Sequence, residues 1–352
     1  MKRDLMTRLD EEGIVCAEGY LFEMERRGYL TAGEFVPEVA LEHPEALKTL
    51  HRDFQHAGSD VVQAFTYNAH REKMRIIDKE DLLEPLNRAA LRIAKEVAEE
   101  VESGQEPNLF AGNISNSNIW HPADKNSQKQ VREIFEEMVA WSVDEGVDFI
   151  IGETFYFAEE AFTALDVIKE AGLPAVVTIS PMGENIMRDN WDIVDTCKEL
   201  EQRGADVVGM NCFRGPTTMI PYLKDIRNTV GCHVAALPVP YRTTPDHPTF
   251  FNLDDNNGCT VHSPHNRTFP TALDPLYCNR YEIRDFAEQA WKMNIRYIGV
   301  CCGAAPIHIR EVAEAMGRKP KASRYSENMK KHFMYGSDSR LPDHITAYGN
   351  KA

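Results

Sequence analysis

The chain has 352 residues, 43% hydrophobic and 27% charged, and its 39 basic against 55 acidic residues leave it at −16. That composition is globular, and the acidic balance argues against a nucleic-acid backbone or an anionic membrane surface as partner. The N-terminus, MKRDLMTRLDEEG, is charged where a signal peptide would be apolar, and no uncharged apolar run is long enough for a bilayer, so a cytoplasmic location is expected.

Eight short runs read as strands: GIVCAEG (13–19), DVVQAFT (60–66), LFAGNIS (109–115), VDFIIGET (147–154), PAVVTIS (174–180), ADVVGMNC (205–212), HVAALPVP (233–240) and RYIGVCCG (296–303). They are near-continuously apolar, as parallel strands covered on both faces are. Amphipathic stretches lie between them, such as DLLEPLNRAALRIAKEVAEEVES and QKQVREIFEEMVAWSVDEG. AWSVDEG, DVIKEAG and KELEQRG each end in a glycine that suits a helix C-cap.

This alternation predicts a single (β/α)8 barrel over residues 1–318. An open doubly wound sheet is the alternative, but no G-x-G-x-x-G follows the first strand. Residues 241–280 are rich in Pro, Asn, His and Thr, and form a long loop on the active-site face. Residues 319–352 turn polar and are expected to lie as a tail on the barrel or on a neighbouring subunit of a homo-oligomer.

Barrel chemistry sits at the C-terminal strand ends. There the sequence puts Glu18, Glu153, Cys212 and the vicinal pair Cys301 and Cys302. Adjacent cysteines rarely bond to each other, because the small ring strains the disulfide. The sixth and eighth strands are two apart in a closed barrel, so three thiols can converge. Three thiolates and an open fourth position describe a catalytic zinc site; buried structural thiols are the alternative. Of the eight cysteines, Cys16 reads as packing, and Cys259 and Cys278 as loop bystanders able at most to lend a labile ligand. Glu153 closes an apolar run and needs a cation, either in a rim salt bridge or in a substrate ammonium group. Glu18 divides the same way. His262, His265 and His308 are not counted as ligands.

GADVVGMNC with the distant RYIGVCCG resembles the zinc signature of the homocysteine S-methyltransferases. ERRGYLTAGEF, PEVALEHPEALKTLHRDFQHAGSDVVQAFTY and YIGVCCGAAPIHIREVAEAM are similar to the branch that takes its methyl group from betaine. The resemblance covers roughly residues 8–318. It implies a (β/α)8 barrel, Zn²⁺ held by Cys212, Cys301 and Cys302, and Glu153 on the amino group of homocysteine. Zinc keeps the substrate sulfur as a thiolate at neutral pH, and three cysteine ligands leave that sulfur electron-rich. The thiolate then attacks a methyl group held by aromatic faces, and a neutral amine or sulfide leaves.

The chain departs from the family at several positions. Ala17-Glu18-Gly19 stands where the family has Asp-Gly-Gly; the aspartate aligns with Ala17, and Glu18 is expected to reach in. The donor-pocket Trp aligns with Phe35 and two Tyr positions with Asn68 and Thr154, while Tyr67 and Tyr156 are compensating neighbours. The 241–280 loop is longer than in the family, and the C-terminal arm is shorter. The expected activity is zinc-dependent methyl transfer from a small methylated ammonium or sulfonium donor to homocysteine, giving methionine. The alternatives are dimethylsulfoniopropionate or another betaine or sulfonium as donor, and a non-catalytic zinc-binding barrel acting as sensor or scaffold.

Overall fold

A computed structural model describes residues 2–101, 106–183, 185–253 and 267–349. Eight parallel strands close into a barrel in chain order. They are β1 (Ile14–Ala17), β2 (Val61–Gln63), β3 (Leu109–Ser115), β4 (Phe149–Phe155), β5 (Ala175–Ile179), β6 (Val207–Asn211), β7 (His233–Leu237) and β8 (Tyr297–Val300). The seam joins β1 to β8, with Ile14 opposite Tyr297 and Ala17 opposite Val300. Nearly every strand residue is buried, which is why the strands carry no polar alternation.

Helices cover the outside, and their ends follow local chemistry. Asp192 accepts from the backbone N–H groups of Val194 and Asp195, and Asn279 with Glu282 forms a capping box. Gly146, Gly172 and Gly204 take left-handed backbone at or just beyond helix ends, as the sequence leads one to expect. Among the described residues no helix is long and apolar enough to cross a membrane.

Two local features decide what reaches the barrel mouth. In β4, Gly152 pairs with Val177 but Phe155 pairs with Ile179, so the strand carries one extra residue. Thr154 fills that bulge at φ 64. A bulge re-aims side chains beside active sites, and here Glu153 and Thr154 both turn to the interior while Phe155 packs outward on Phe135. Beyond β6, Cys212 and Phe213 both adopt left-handed backbone, at φ 53 and 51. Non-glycine residues held this way are costly and cluster at functional sites.

The segment after β7 is fastened across the mouth. Tyr241 pairs with Tyr277, and the Phe250 N–H donates to the Phe213 carbonyl at 2.9 Å. At the other end of the molecule, Arg318 anchors the tail to Asp60 and to the carbonyls of Glu12 and Gly13. The tail then runs through short turns at Lys321–Tyr325 and Met329–Lys331 and a helix at Asp343–Gly349. It leaves the rings of Tyr325, Phe333, Tyr335 and Tyr348 exposed.

Candidate active site

Cys212 follows β6, and Cys301 and Cys302 follow β8. Their three sulfurs lie within 4.8 Å of one another, and all three residues are buried. The Cys301 N–H is held by the Pro238 carbonyl at 2.9 Å and its carbonyl by the Ala304 N–H at 2.9 Å, so the vicinal pair sits in a tight turn. Two glycines make that turn possible. Gly303 has φ +97, and a Cβ there would come within 2.6 Å of the Tyr241 hydroxyl. Gly19 packs so closely on the same turn that its Cβ would meet the Ala304 carbonyl oxygen at 2.2 Å.

The thiols titrate as a group. Hydrogen bonds from Cys212 and Cys301 pull Cys302 down to about 6, while burial, followed by its thiol neighbours, pushes Cys212 up. Burial likewise pushes Cys301 up. The three buried sulfurs thus form one interacting set. Such a set suits a soft divalent cation, and with three ligands it leaves one tetrahedral position for a substrate atom.

Cys301 also belongs to a second cluster. Its sulfur and carboxylate oxygens of Glu18 and Glu153 lie within 4.8 Å of one another. Glu153 is 3% exposed. Its Oε1 accepts from Gln63 Nε2 and Asn113 Nδ2, each at 2.7 Å. Its Oε2 accepts from Asn211 Nδ2 at 2.8 Å and from Thr154 Oγ1 at 3.2 Å. Burial and then Cys301 push its carboxyl up to about 8 against those donors. No salt bridge to it occurs among the described residues; amides and a hydroxyl hold it instead. Glu18 begins where β1 ends, and Ala17 is fully buried in the strand. Glu18 is 5% exposed, its Oε2 lies 3.4 Å from Asn211 Nδ2, and its Oε1 has no partner. Burial, then Glu153 and Cys301, hold its carboxyl well above the usual range. Two buried carboxyls beside a thiol, one with an open acceptor, have the chemistry to receive a small cation.

Over this floor stands an aromatic wall. Phe213 packs on Phe251 with ring centroids 4.7 Å apart, Phe251 on Phe269 at 4.5 Å, and Phe250 on Phe22 at 6.1 Å. Phe35 meets Phe22 at 5.9 Å. Burial, then the thiols Cys212 and Cys302 and the carboxyl Glu153, push the Tyr67 phenol upward, which puts that ring within electrostatic reach of the metal-type cluster. Asn68, at φ 62, donates to the Phe35 carbonyl at 3.3 Å. Tyr156 stacks on Phe213 at 6.4 Å.

The other thiols lie apart from the cluster. Cys197 sits in the helix Ile193–Gln202, Cys232 precedes β7, Cys16 lies in β1, and the Cys278 N–H is bonded to the Pro240 carbonyl. His308 caps its own helix, accepting from the Ala305 N–H at 3.2 Å. Cys259, His262 and His265 fall outside the described residues. Sequence reasoning did not single out Gln63, Asn113 and Asn211. Their signal was present, since each is a polar residue inside an otherwise apolar strand, where an unpartnered side chain would be costly.

Residues 17–316 match the family model described as homocysteine S-methyltransferase. The betaine–homocysteine S-methyltransferase 1 of Xenopus tropicalis is 34% identical over 351 residues, covering 96% of this chain and 80% of that protein. The S-methylmethionine–homocysteine S-methyltransferase BHMT2 of Mus musculus is 33% identical over 346 residues, covering 96% of this chain and 87% of that protein. Among solved structures, the metallated form of the homocysteine methyltransferase MmuM from Escherichia coli shares the barrel, with a TM-score of 0.67 at 17% identity over 87% of this chain and 97% of that one. The chain belongs to the homocysteine S-methyltransferase family and is an S-methyltransferase that acts on homocysteine.

Proposed function

We propose that the enzyme is zinc-dependent and makes methionine by transferring a methyl group to homocysteine from a small methylated onium compound of the betaine type. The observation that carries this reading is the double membership of Cys301, in a three-thiol cluster and in a carboxyl cluster, each within 4.8 Å. Homocysteine has a thiol at one end and an ammonium at the other, and the two clusters match those ends.

Cys212, Cys301 and Cys302 would hold the metal. When bound there, zinc would supply the Lewis acidity that keeps the substrate sulfur a thiolate near neutral pH. The protein's own groups do the rest. Glu153 already accepts four hydrogen bonds. The open acceptor is therefore Glu18 Oε1, which takes the ammonium while Glu153 supplies the second charge. Gly19 leaves room for the turn that carries the vicinal thiols. The thiolate sulfur forms the new S–CH3 bond as the donor's N–CH3 or S–CH3 bond breaks, and the electron pair leaves on a neutral amine or sulfide. No proton moves in that step, so the site needs alignment and dryness more than a general acid. Phe35, Tyr67 and Tyr156, with the Phe250–Phe251 wall, offer ring faces to the positive donor.

A sulfonium donor is the second reading, favoured by Asn68 and Thr154, which stand at two Tyr positions of the family and so leave fewer ring faces for a quaternary ammonium. The deciding experiment measures methionine formation with zinc-loaded protein, homocysteine and a panel of donors: glycine betaine, dimethylsulfoniopropionate and S-methylmethionine. Turnover with at least one is expected. A protein inert with every methylated onium compound would falsify the reading.

A further inference from the structure

The tripeptide Asn116-Ser117-Asn118, just beyond β3, binds three different elements with three consecutive side chains. Asn116 Nδ2 donates to the Tyr67 hydroxyl at 3.3 Å and to the Thr154 carbonyl at 3.1 Å. Ser117, fully buried, donates its backbone N–H and its hydroxyl to Glu160 Oε1 at 2.7 and 2.5 Å. Asn118, in left-handed backbone at φ 64, accepts from the Tyr156 hydroxyl at 3.0 Å through Oδ1. Glu160 sits in the first turn of the helix Ala158–Glu170, is fully buried, and its other oxygen has no partner.

The middle residue is therefore an anchor and the outer two are handles. Ser117 on Glu160 ties the end of β3 to the helix that follows β4, and this fixes where Asn116 and Asn118 begin. Each asparagine then holds the phenol of one tyrosine. A hydroxyl bond adds to ring packing in setting how a tyrosine ring lies, and cation–π attraction depends on which face the ring presents. Tyr156 also stacks on Phe213 and has the Arg188 guanidinium 5.4 Å from its ring centroid. Asn116 holds the carbonyl of the bulge residue Thr154 together with the Tyr67 hydroxyl, and Tyr156 follows that bulge along the chain.

We infer that Asn116 and Asn118 are positioning residues for the methyl donor, setting the faces of Tyr67 and Tyr156, with Ser117 and Glu160 fixing the tripeptide that carries them. This rests on the methyl-transfer reading above and extends it to residues that touch neither substrate nor thiol. The two handles have opposite chemistry. Asn118 uses its oxygen, so an aspartate can replace it. Asn116 uses its nitrogen, so an aspartate there loses the Thr154 carbonyl but can still accept from the Tyr67 hydroxyl.

The test is steady-state kinetics on zinc-loaded protein with the best donor of the panel. Asn118→Ala should raise the donor KM ~3- to 10-fold, the size of one lost neutral hydrogen bond, with homocysteine KM and zinc content unchanged. Asn116→Ala should raise the donor KM likewise, and Asn118→Asp should restore it. Adding Tyr156→Phe to Asn118→Ala should cost nothing further, because both remove one bond. Asn118 is exposed, so its variants should fold. Unmoved donor KM in Asn118→Ala and Asn116→Ala, or an equal rise in homocysteine KM, overturns the inference in an enzyme that is otherwise active. A wild-type protein inert with every donor overturns the reading beneath it.

Discussion

Asn211 donates to Glu153 Oε2 at 2.8 Å, reaching from β6 to β4 across the barrel mouth one residue before Cys212. The same amide nitrogen lies 2.9 Å from Thr154 Oγ1 and 3.7 Å from Cys301 Sγ. Its oxygen accepts from the Thr154 N–H and the Thr178 hydroxyl, each at 2.9 Å. One side chain thus joins the carboxyl cluster to the thiol cluster, with its orientation fixed by donors to its oxygen.

Replacing Asn211 by Asp should disturb both ends. The donor to Glu153 becomes a third carboxyl beside Glu18 and Glu153, in a site that already resists negative charge. Homocysteine KM should rise at least ~10-fold, the range for a lost hydrogen bond to a charged group, and zinc should be lost to a chelator at lower concentration than from wild type. Asn211→Asp protein that keeps a wild-type homocysteine KM would show that the amide joins nothing the reaction uses.

Metal content offers a simpler check. Purified protein should hold one zinc per chain, and Cys212→Ala, Cys301→Ala or Cys302→Ala should each abolish high-affinity binding and turnover, since each removes a third of the thiolate set. Cys197→Ala and Cys232→Ala should keep the zinc, because those thiols sit in an outer helix and before β7. Full occupancy in Cys301→Ala, measured by elemental analysis after dialysis, sinks the site.

The barrel and its chemistry were legible to different depths in the sequence. The eight apolar runs and their C-capping glycines identify the strands, because parallel strands buried on both faces leave no other pattern. The cysteines were legible because thiols at strand ends have few roles. Glu18 was ambiguous: the family's aspartate aligns with Ala17, and only the turn after β1 brings the Glu18 carboxyl to Cys301. The bulge at Thr154 was illegible, since it arises from a mismatch of register between β4 and β5 that neither strand carries alone. The amides around Glu153 come from three separate strands, so their convergence is a property of barrel closure. The Phe250–Phe251 wall depends on how a long loop folds back, which composition does not specify.

Glu160 makes stability depend on pH in a calculable direction. Burial raises its carboxyl to about 7, against the lowering effect of the Ser117 donors and with a smaller upward push from Asp189. An acid that holds its proton more tightly when folded contributes its full stability below the unfolded value of 4.5. That contribution is lost as pH rises from there through about 7. The total is on the order of 3 kcal/mol at 1.36 kcal/mol per unit. Glu160→Gln keeps an acceptor for Ser117 and cannot ionise. The melting temperature of the variant relative to wild type should therefore climb between pH 5 and pH 8. A difference that stays flat over that range would mean Glu160 is ionised in the folded protein at pH 5.

The aromatic wall gives the last prediction, which concerns the donor. Phe35 is half-buried against Phe22, and its carbonyl is held by Asn68. Trp has a stronger cation–π face than Phe, and at φ 53 both side chains meet the same backbone cost. Phe35→Trp should lower the KM for a quaternary ammonium donor ~2- to 5-fold, the range for one added exposed cation–π contact, and leave homocysteine KM alone. Restoring tyrosines by Asn68→Tyr and Thr154→Tyr is a different kind of change. It breaks the Asn68 bond to Phe35 and removes the Thr154 hydroxyl from Glu153 and Asn211. That double variant should therefore lose homocysteine affinity even where it gains a ring face. Kinetics with glycine betaine and dimethylsulfoniopropionate, varying donor and homocysteine separately, distinguish the two effects. If Phe35→Trp leaves the donor KM and the donor ranking unchanged, Phe35 is packing for Phe22 and the cation is received on Tyr67, Tyr156 and the loop phenylalanines alone.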